Sequence, residues 1–189
     1  MNPLMTPRER EVLSSFLRRS NHYFEFGMGG STVLASNLVR GSVSAIDSEP
    51  DWVDKVGRAV RRDGPAIDLS LVDIGPVGSY GIPLDRSDPK RFHPYSGAIA
   101  HERHARVDLC FVDGRFRVAC ALQAFVSLGP RAFVVVHDYA NRPRYRLIEQ
   151  FGDCVAACDT LAVFRRKRLG PRRHLLLRRR LAQFRENHR

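Results

Sequence analysis

Tyr23-Phe24-Glu25-Phe26-Gly27-Met28-Gly29-Gly30-Ser31-Thr32 is the stretch whose reading decides the fold. The apolar run at residues 23–26 is cut by glycines, after which Val33, Leu34, Asn37 and Leu38 fall at helical intervals. The pattern is strand, glycine loop, helix. Such a loop lets backbone N–H groups and a helix N-terminus approach a ligand closely. A dinucleotide site asks for a third glycine at position 32, where the chain has Thr32, and Glu25 would set its charge against a diphosphate. An acid at that place suits a cationic or hydroxyl-bearing ligand better.

Upstream, Thr6-Pro7-Arg8-Glu9 has capping-box spacing with proline at the first helical position, and Val12, Leu13, Phe16 and Leu17 continue it as a helix to about Arg19. Downstream, residues 43–46 read as a strand ending at Asp47, and Trp52, Val53, Val56 and Val60 give the next helix its apolar face. Residues 67–72 form a third strand, ending at Asp73. Residues 74–106 lose all periodicity, and a connection of that length in a compact domain is usually functional, so we read it as a lid over a pocket. Residues 107–112 are a strand ending at Asp113. Val118, Leu122 and Phe125 mark a helix, residues 132–136 a strand ending at His137-Asp138, and residues 145–151 another helix. Two weaker strands are expected at residues 154–157 and 161–164. This alternation predicts a single α/β domain over residues 1–164, a doubly wound and mostly parallel sheet with helices on both faces.

The chain has 189 residues, 43% hydrophobic and 27% charged, enough for one well-packed core and unlike a disordered or fibrous protein. No apolar stretch approaches a bilayer's thickness and the first twenty residues carry charges, so we expect a cytoplasmic protein. The net charge of +11 is concentrated, because residues 165–189 hold eleven basic side chains and one acid, Glu186. Within that basic tail Leu177, Leu181 and Phe184 fall on one helical face. It reads as an amphipathic helix that docks on its own domain or a second subunit, or meets an anionic partner such as nucleic acid. Cys110, Cys120, Cys154 and Cys158 lack metal or disulfide spacing and are expected as buried thiols.

In open α/β sheets ligands bind beyond the carboxyl ends of the strands, and four of the five main strands end near an acid: Asp47, Asp73, Asp113 and Asp138. With Glu25 and the glycines, these residues resemble the cofactor signature of the class I S-adenosylmethionine-dependent methyltransferases, Rossmann-like proteins. The segments Asp108-Leu109-Cys110-Phe111-Val112-Asp113-Gly114-Arg115 and Val134-Val135-Val136-His137-Asp138-Tyr139 are similar to those of small bacterial methyltransferase-like proteins of that superfamily. The likeness runs over residues 23–164. It implies S-adenosylmethionine as cofactor, with Gly27 and Gly29 beside its methionine, Glu25 and Ser31 near the amino and carboxylate groups, Asp47 on the ribose and Asp73 near adenine. It also implies Asp113 at the reactive end, on an oxygen or nitrogen acceptor that is a small molecule or glycan rather than nucleic acid.

His137 is the natural base for such a reaction, and Arg115 with Arg117 could clamp an anionic acceptor. Some relatives bind a divalent cation at the ends of the fourth and fifth strands, which places Asp113, Asp138 and Asn141 as a set for magnesium. His101 and His104 have the spacing of a zinc pair without an accompanying acid motif. Three rival readings stay open: a non-catalytic cofactor- or nucleotide-binding module, a nicotinamide oxidoreductase, and a nucleic-acid binder working through the tail. A homodimer is also an expectation of this reading.

Overall fold

A computed structural model describes residues 1–187; His188 and Arg189 at the end of the tail lie outside the described residues. Helix α1 (Pro7–Leu17) starts where its capping box predicts, with the Thr6 hydroxyl accepting from the Glu9 N–H and the Glu9 carboxylate accepting from the Thr6 N–H. Strand β1 (His22–Phe26), helix α2 (Gly30–Leu38), strand β2 (Ser42–Asp47), helix α3 (Pro50–Ala59) and strand β3 (Ala66–Leu71) follow in the order read from the sequence. Then come β4 (Val77–Gly78) and β5 (Ile82–Pro83), a small antiparallel hairpin. Helix α4 (His93–Gly97) and several 3-10 turns fill the rest of the aperiodic segment. The regular pattern resumes with β6 (Leu109–Val112), α5 (Arg117–Ser127) and β7 (Phe133–Val136), followed by the hairpin β8 (Gly152–Cys158) and β9 (Leu161–Arg166) and finally α6 (Pro171–Phe184).

The sheet has seven strands in the order β3-β2-β1-β6-β7-β9-β8, parallel except that β9 runs against both β7 and β8. The order reverses between β1 and β6, which opens a crevice at their carboxyl ends. Side-chain alternation pays out on two faces. Phe24, Phe26, Cys110, Val112, Val134 and Val136 pack toward α5 and α6, while Tyr23, Leu109, Phe111 and Val135 pack with Leu13 and Leu17 of α1. At the crevice Gly27 has φ +91°, and a Cβ there would lie 2.4 Å from the Gly114 Cα. The ends of β1 and β6 touch backbone to backbone, which only glycine permits.

Two expectations are refined. The helix read at residues 145–151 is present as a 3-10 helix, Pro143–Gln150, rather than an α-helix. Cys110 and Cys120 are buried, whereas on the edge strand β8 Cys154 is exposed and Cys158 half-buried. His104 is buried edge-on against Phe24, and burial holds its ring down at about 4. The basic helix α6 lies on α5 through buried Leu177 and Leu181, with Arg185 donating to the Gln123 amide oxygen. No helix among the described residues is long and apolar enough to cross a membrane.

Candidate functional site

The crevice is a cavity of about 840 Å³, lined by the glycine loop at Gly27 to Ser31, by Asp47, Ser48, Glu49 and Trp52 beyond β2, and by Asp113, Arg115, Arg117, His137, Asp138 and Arg142 beyond β6 and β7. Two further pieces close over it. The hairpin crosses between Ser48 and Arg115, with Gly81 at φ +65° in a gap where a Cβ would lie 2.8 Å from the Ser48 hydroxyl. The chain at residues 1–4 lies across the glycine loop, so that a Cβ on Gly30 would lie 2.2 Å from the Pro3 nitrogen.

Each end of the cavity has its own electrostatics. At the first, the Asp47 carboxylate accepts from the Met28 N–H at 2.9 Å, the Ser48 N–H at 2.7 Å and the Glu49 N–H at 3.1 Å. Burial outweighs these donors and raises its pKa to about 6. Beneath the glycine loop Glu25 is fully buried, with the Ser31 hydroxyl donating to Oε1, while Oε2 is buried without a hydrogen bond. Burial pushes this carboxyl up to about 8, against hydrogen bonds from Ser31 and Thr32 that favour the ion.

At the second end the guanidinium of Arg117 joins two acids, 3.0 Å from Asp113 Oδ1 and 3.0 Å from Asp138 Oδ2, and also donates to the His137 and Gly114 carbonyls. His137 turns Nδ1 to Asp113 Oδ1 at 3.0 Å and Nε2 to Glu9 Oε2 at 3.5 Å. Burial works against a charged ring, yet the hydrogen bond and charge of Asp113, with Asp138 and Glu9, win and raise its pKa. Glu9 in turn is 1% exposed and accepts from the Thr160 N–H and hydroxyl, which tie α1 to the β8–β9 turn. Asp138 adopts φ +55° and Phe116 φ +54°, so left-handed backbone sits at both strand ends that carry the cluster.

No family model matches the chain, and no curated protein matches it. Among solved structures, a methyltransferase-like protein from Silicibacter pomeroyi is similar over 95% of this chain and 96% of that one, at 27% identity and a TM-score of 0.83. An RNA methyltransferase from Salinibacter ruber, solved with S-adenosylhomocysteine, is similar over 89% of this chain and 97% of that one, at 12% identity and a TM-score of 0.52. A tRNA (m1A58) methyltransferase from Aquifex aeolicus matches 88% of this chain and 71% of that one, at 14% identity and a TM-score of 0.55. The chain has the fold of the class I S-adenosylmethionine-dependent methyltransferases.

Within this methyltransferase fold, Gly27, Gly29, Ser31, Asp47, Asp113, Arg115, His137 and Asp138 meet in the one cavity. Glu25 stands behind Ser31 rather than on the wall. Asp73 is not brought to the cavity: it is exposed, accepts from the Gly75 N–H at 2.7 Å and pairs with Arg91 at 3.0 Å, because the chain turns away after β3. Asn141 is exposed and also outside.

The magnesium set does not fit. Asp113, His137 and Asp138 could bring ligand atoms within 4.8 Å of one another. The cation that joins them is the Arg117 guanidinium, which a metal ion would have to displace. His137 lines the cavity with its ring nitrogens toward Asp113 and Glu9. The sequence reading missed Glu9, whose capping role hid its second contact, and Arg142, which reaches Asp138 at 3.1 Å. The i,i+4 spacing of Asp113 with Arg117 and of Asp138 with Arg142 was the available signal.

A carboxyl raised by folding contributes stability that is present below its unfolded value of 4.5 and is lost as pH climbs through about 8. Glu25→Gln is therefore expected to remove about one proton's worth of slope from stability against pH between about pH 5 and about pH 8. Urea midpoints across that range check this; identical slopes in variant and wild type would refute it.

Proposed function

We propose that this protein transfers the methyl group of S-adenosylmethionine to an oxygen or nitrogen atom of a small acceptor. The observation that carries the reading is one cavity, at the point where strand order reverses, with Asp47 and the glycine loop at one end and Asp113 at the other. The residues fit the cofactor. A Cβ on Gly29 would meet nothing within 4 Å, which leaves room for a ligand at that residue, and α2 begins at Gly30 on the cavity wall, where a helix N-terminus suits a carboxylate. Asp47, its orientation fixed by three backbone donors, accepts from ribose hydroxyls.

When bound, the cofactor supplies a methyl group on a sulfonium, transferred by in-line displacement. The protein's share is positioning and proton removal. Asp113 accepts the proton of the acceptor atom and orients its lone pair. His137 is a positioning residue that holds Asp113, and Arg117 holds both Asp113 and Asp138.

Calorimetric titration with S-adenosylhomocysteine tests the reading without knowledge of the acceptor. Micromolar binding that changes by less than about twofold when magnesium is added is the expected result. Absence of binding by well-folded protein would refute the cofactor assignment, and binding that requires magnesium would refute the role given to Arg117.

A further inference from the structure

Helix α6 carries two apolar stripes with different fates. Leu177 and Leu181 are 0% and 6% exposed and hold the helix on α5, with Phe184 half-buried beside them. Leu175 and Leu176, by contrast, are 52% and 40% exposed. At about 3.6 residues per turn Leu175 stands roughly 160° round the helix from Leu177, so docking on α5 turns it outward and sets Leu176 on the flank. The domain uses one stripe and leaves the second in water.

The second stripe is ringed by arginines. Residues three and four apart are neighbours on a helix surface. Arg172 and Arg179 are such neighbours of both leucines, Arg178 of Leu175 and Arg173 of Leu176, and all four arginines are exposed. The only acid of residues 165–189, Glu186, lies past the end of the helix and turns to His93 at 3.2 Å. Arg178 donates to the His174 ring at 3.2 Å, a contact that brings no negative charge. The outward surface is thus a pair of leucines inside a cationic ring.

The ring alone suits any polyanion, and the leucines choose among them. Exposed aliphatic side chains gain little against the phosphates of RNA, and the one Phe, Tyr or Trp of the helix, Phe184, packs against the core instead of offering its face to a base. At a bilayer of anionic lipid both features are used, since aliphatic side chains enter the acyl boundary while basic ones stay level with the headgroup phosphates. We propose that α6 is a docking face for an anionic phospholipid bilayer, with Leu175 and Leu176 entering it and Arg172, Arg173, Arg178 and Arg179 on the headgroups. A helix of 14 residues lies on such a surface rather than across it. None of the described residues of α6 lines the cavity, so the proposal stands independently of the methyltransferase reading.

Flotation of the full chain with vesicles tests it. Phosphatidylcholine vesicles containing phosphatidylglycerol are compared with vesicles of phosphatidylcholine alone, for wild type, R172Q/R179Q and L175S/L176S. All six substitutions or retained contacts that matter for folding are separable, because Leu177 and Leu181 stay in place and cooperative melting verifies each variant. Binding to the phosphatidylglycerol vesicles that falls as salt is raised, is absent with phosphatidylcholine alone and weakens at least about tenfold in R172Q/R179Q is the expected result, each basic side chain near an anionic surface being worth about fivefold. L175S/L176S is expected to weaken it at least about fivefold with every charge retained. No flotation with phosphatidylglycerol vesicles, equal flotation with phosphatidylcholine alone, or a leucine variant that floats as well as wild type overturns the proposal. A single-stranded RNA oligonucleotide that displaces the vesicles and binds L175S/L176S as tightly as wild type also overturns it, and makes the helix a nucleic-acid contact.

Discussion

Arg117→Met is expected to lower the free energy of unfolding by about 3–5 kcal/mol, the range for removing one partner of a buried ion cluster. The side chain is only 12% exposed and bridges Asp113 and Asp138, which are themselves 27% and 26% exposed. Methionine replaces much of the volume but none of the charge, and leaves Asp113 with His137 and Asp138 with Arg142 as their remaining partners. Urea denaturation at neutral pH measures the loss. Adding Asp113→Asn to the variant should recover part of it, because the penalty lies in the weakened neutralisation of two neighbouring acids rather than in a missing packing contact. A loss below about 1 kcal/mol, or no recovery in the double variant, would mean that solvent screens this cluster and that Arg117 does not organise it.

Asp47→Ala is expected to weaken S-adenosylhomocysteine binding by about 100-fold or more. Two hydrogen bonds to a charged acceptor contribute about 1.5–3 kcal/mol each, and every 1.4 kcal/mol is tenfold in affinity. The substitution also releases the N–H groups of Met28, Ser48 and Glu49, so the loop that carries the cofactor loses its anchor. Asp47→Asn, which keeps the shape and one acceptor oxygen, should fall between the two. Calorimetry on variants that melt cooperatively separates lost recognition from lost folding. Binding by Asp47→Ala within about threefold of wild type would remove Asp47 from the cofactor site.

The two expectations differ in how visible their residues were. Asp47 follows directly from local signals, since a strand that ends in an acid about twenty residues after a glycine loop can only present that acid at the sheet's carboxyl edge. Arg117 was visible as a residue and not as a role. A guanidinium at the first position of a helix is by default solvated, and its capture depends on β6 and β7 lying side by side in parallel. Asp73 also follows a strand, yet its carboxylate is exposed and is engaged by the Gly75 N–H and Arg91.

Taken alone, the sequence determined the alternation of strands and helices, the glycine loop, the acids at the strand ends and the amphipathic face of the basic tail. All of these arise from periodicity, capping and backbone freedom within a few residues of one another. Tertiary structure alone decided which acids share a cavity, that an arginine stands where magnesium was expected, and that Glu9 and His137 meet across the fold. Such choices turn on pairings between separate elements, 21 positions apart for Arg117 and Asp138 and 151 for Glu9 and Thr160, and are fixed only when the sheet orders its strands.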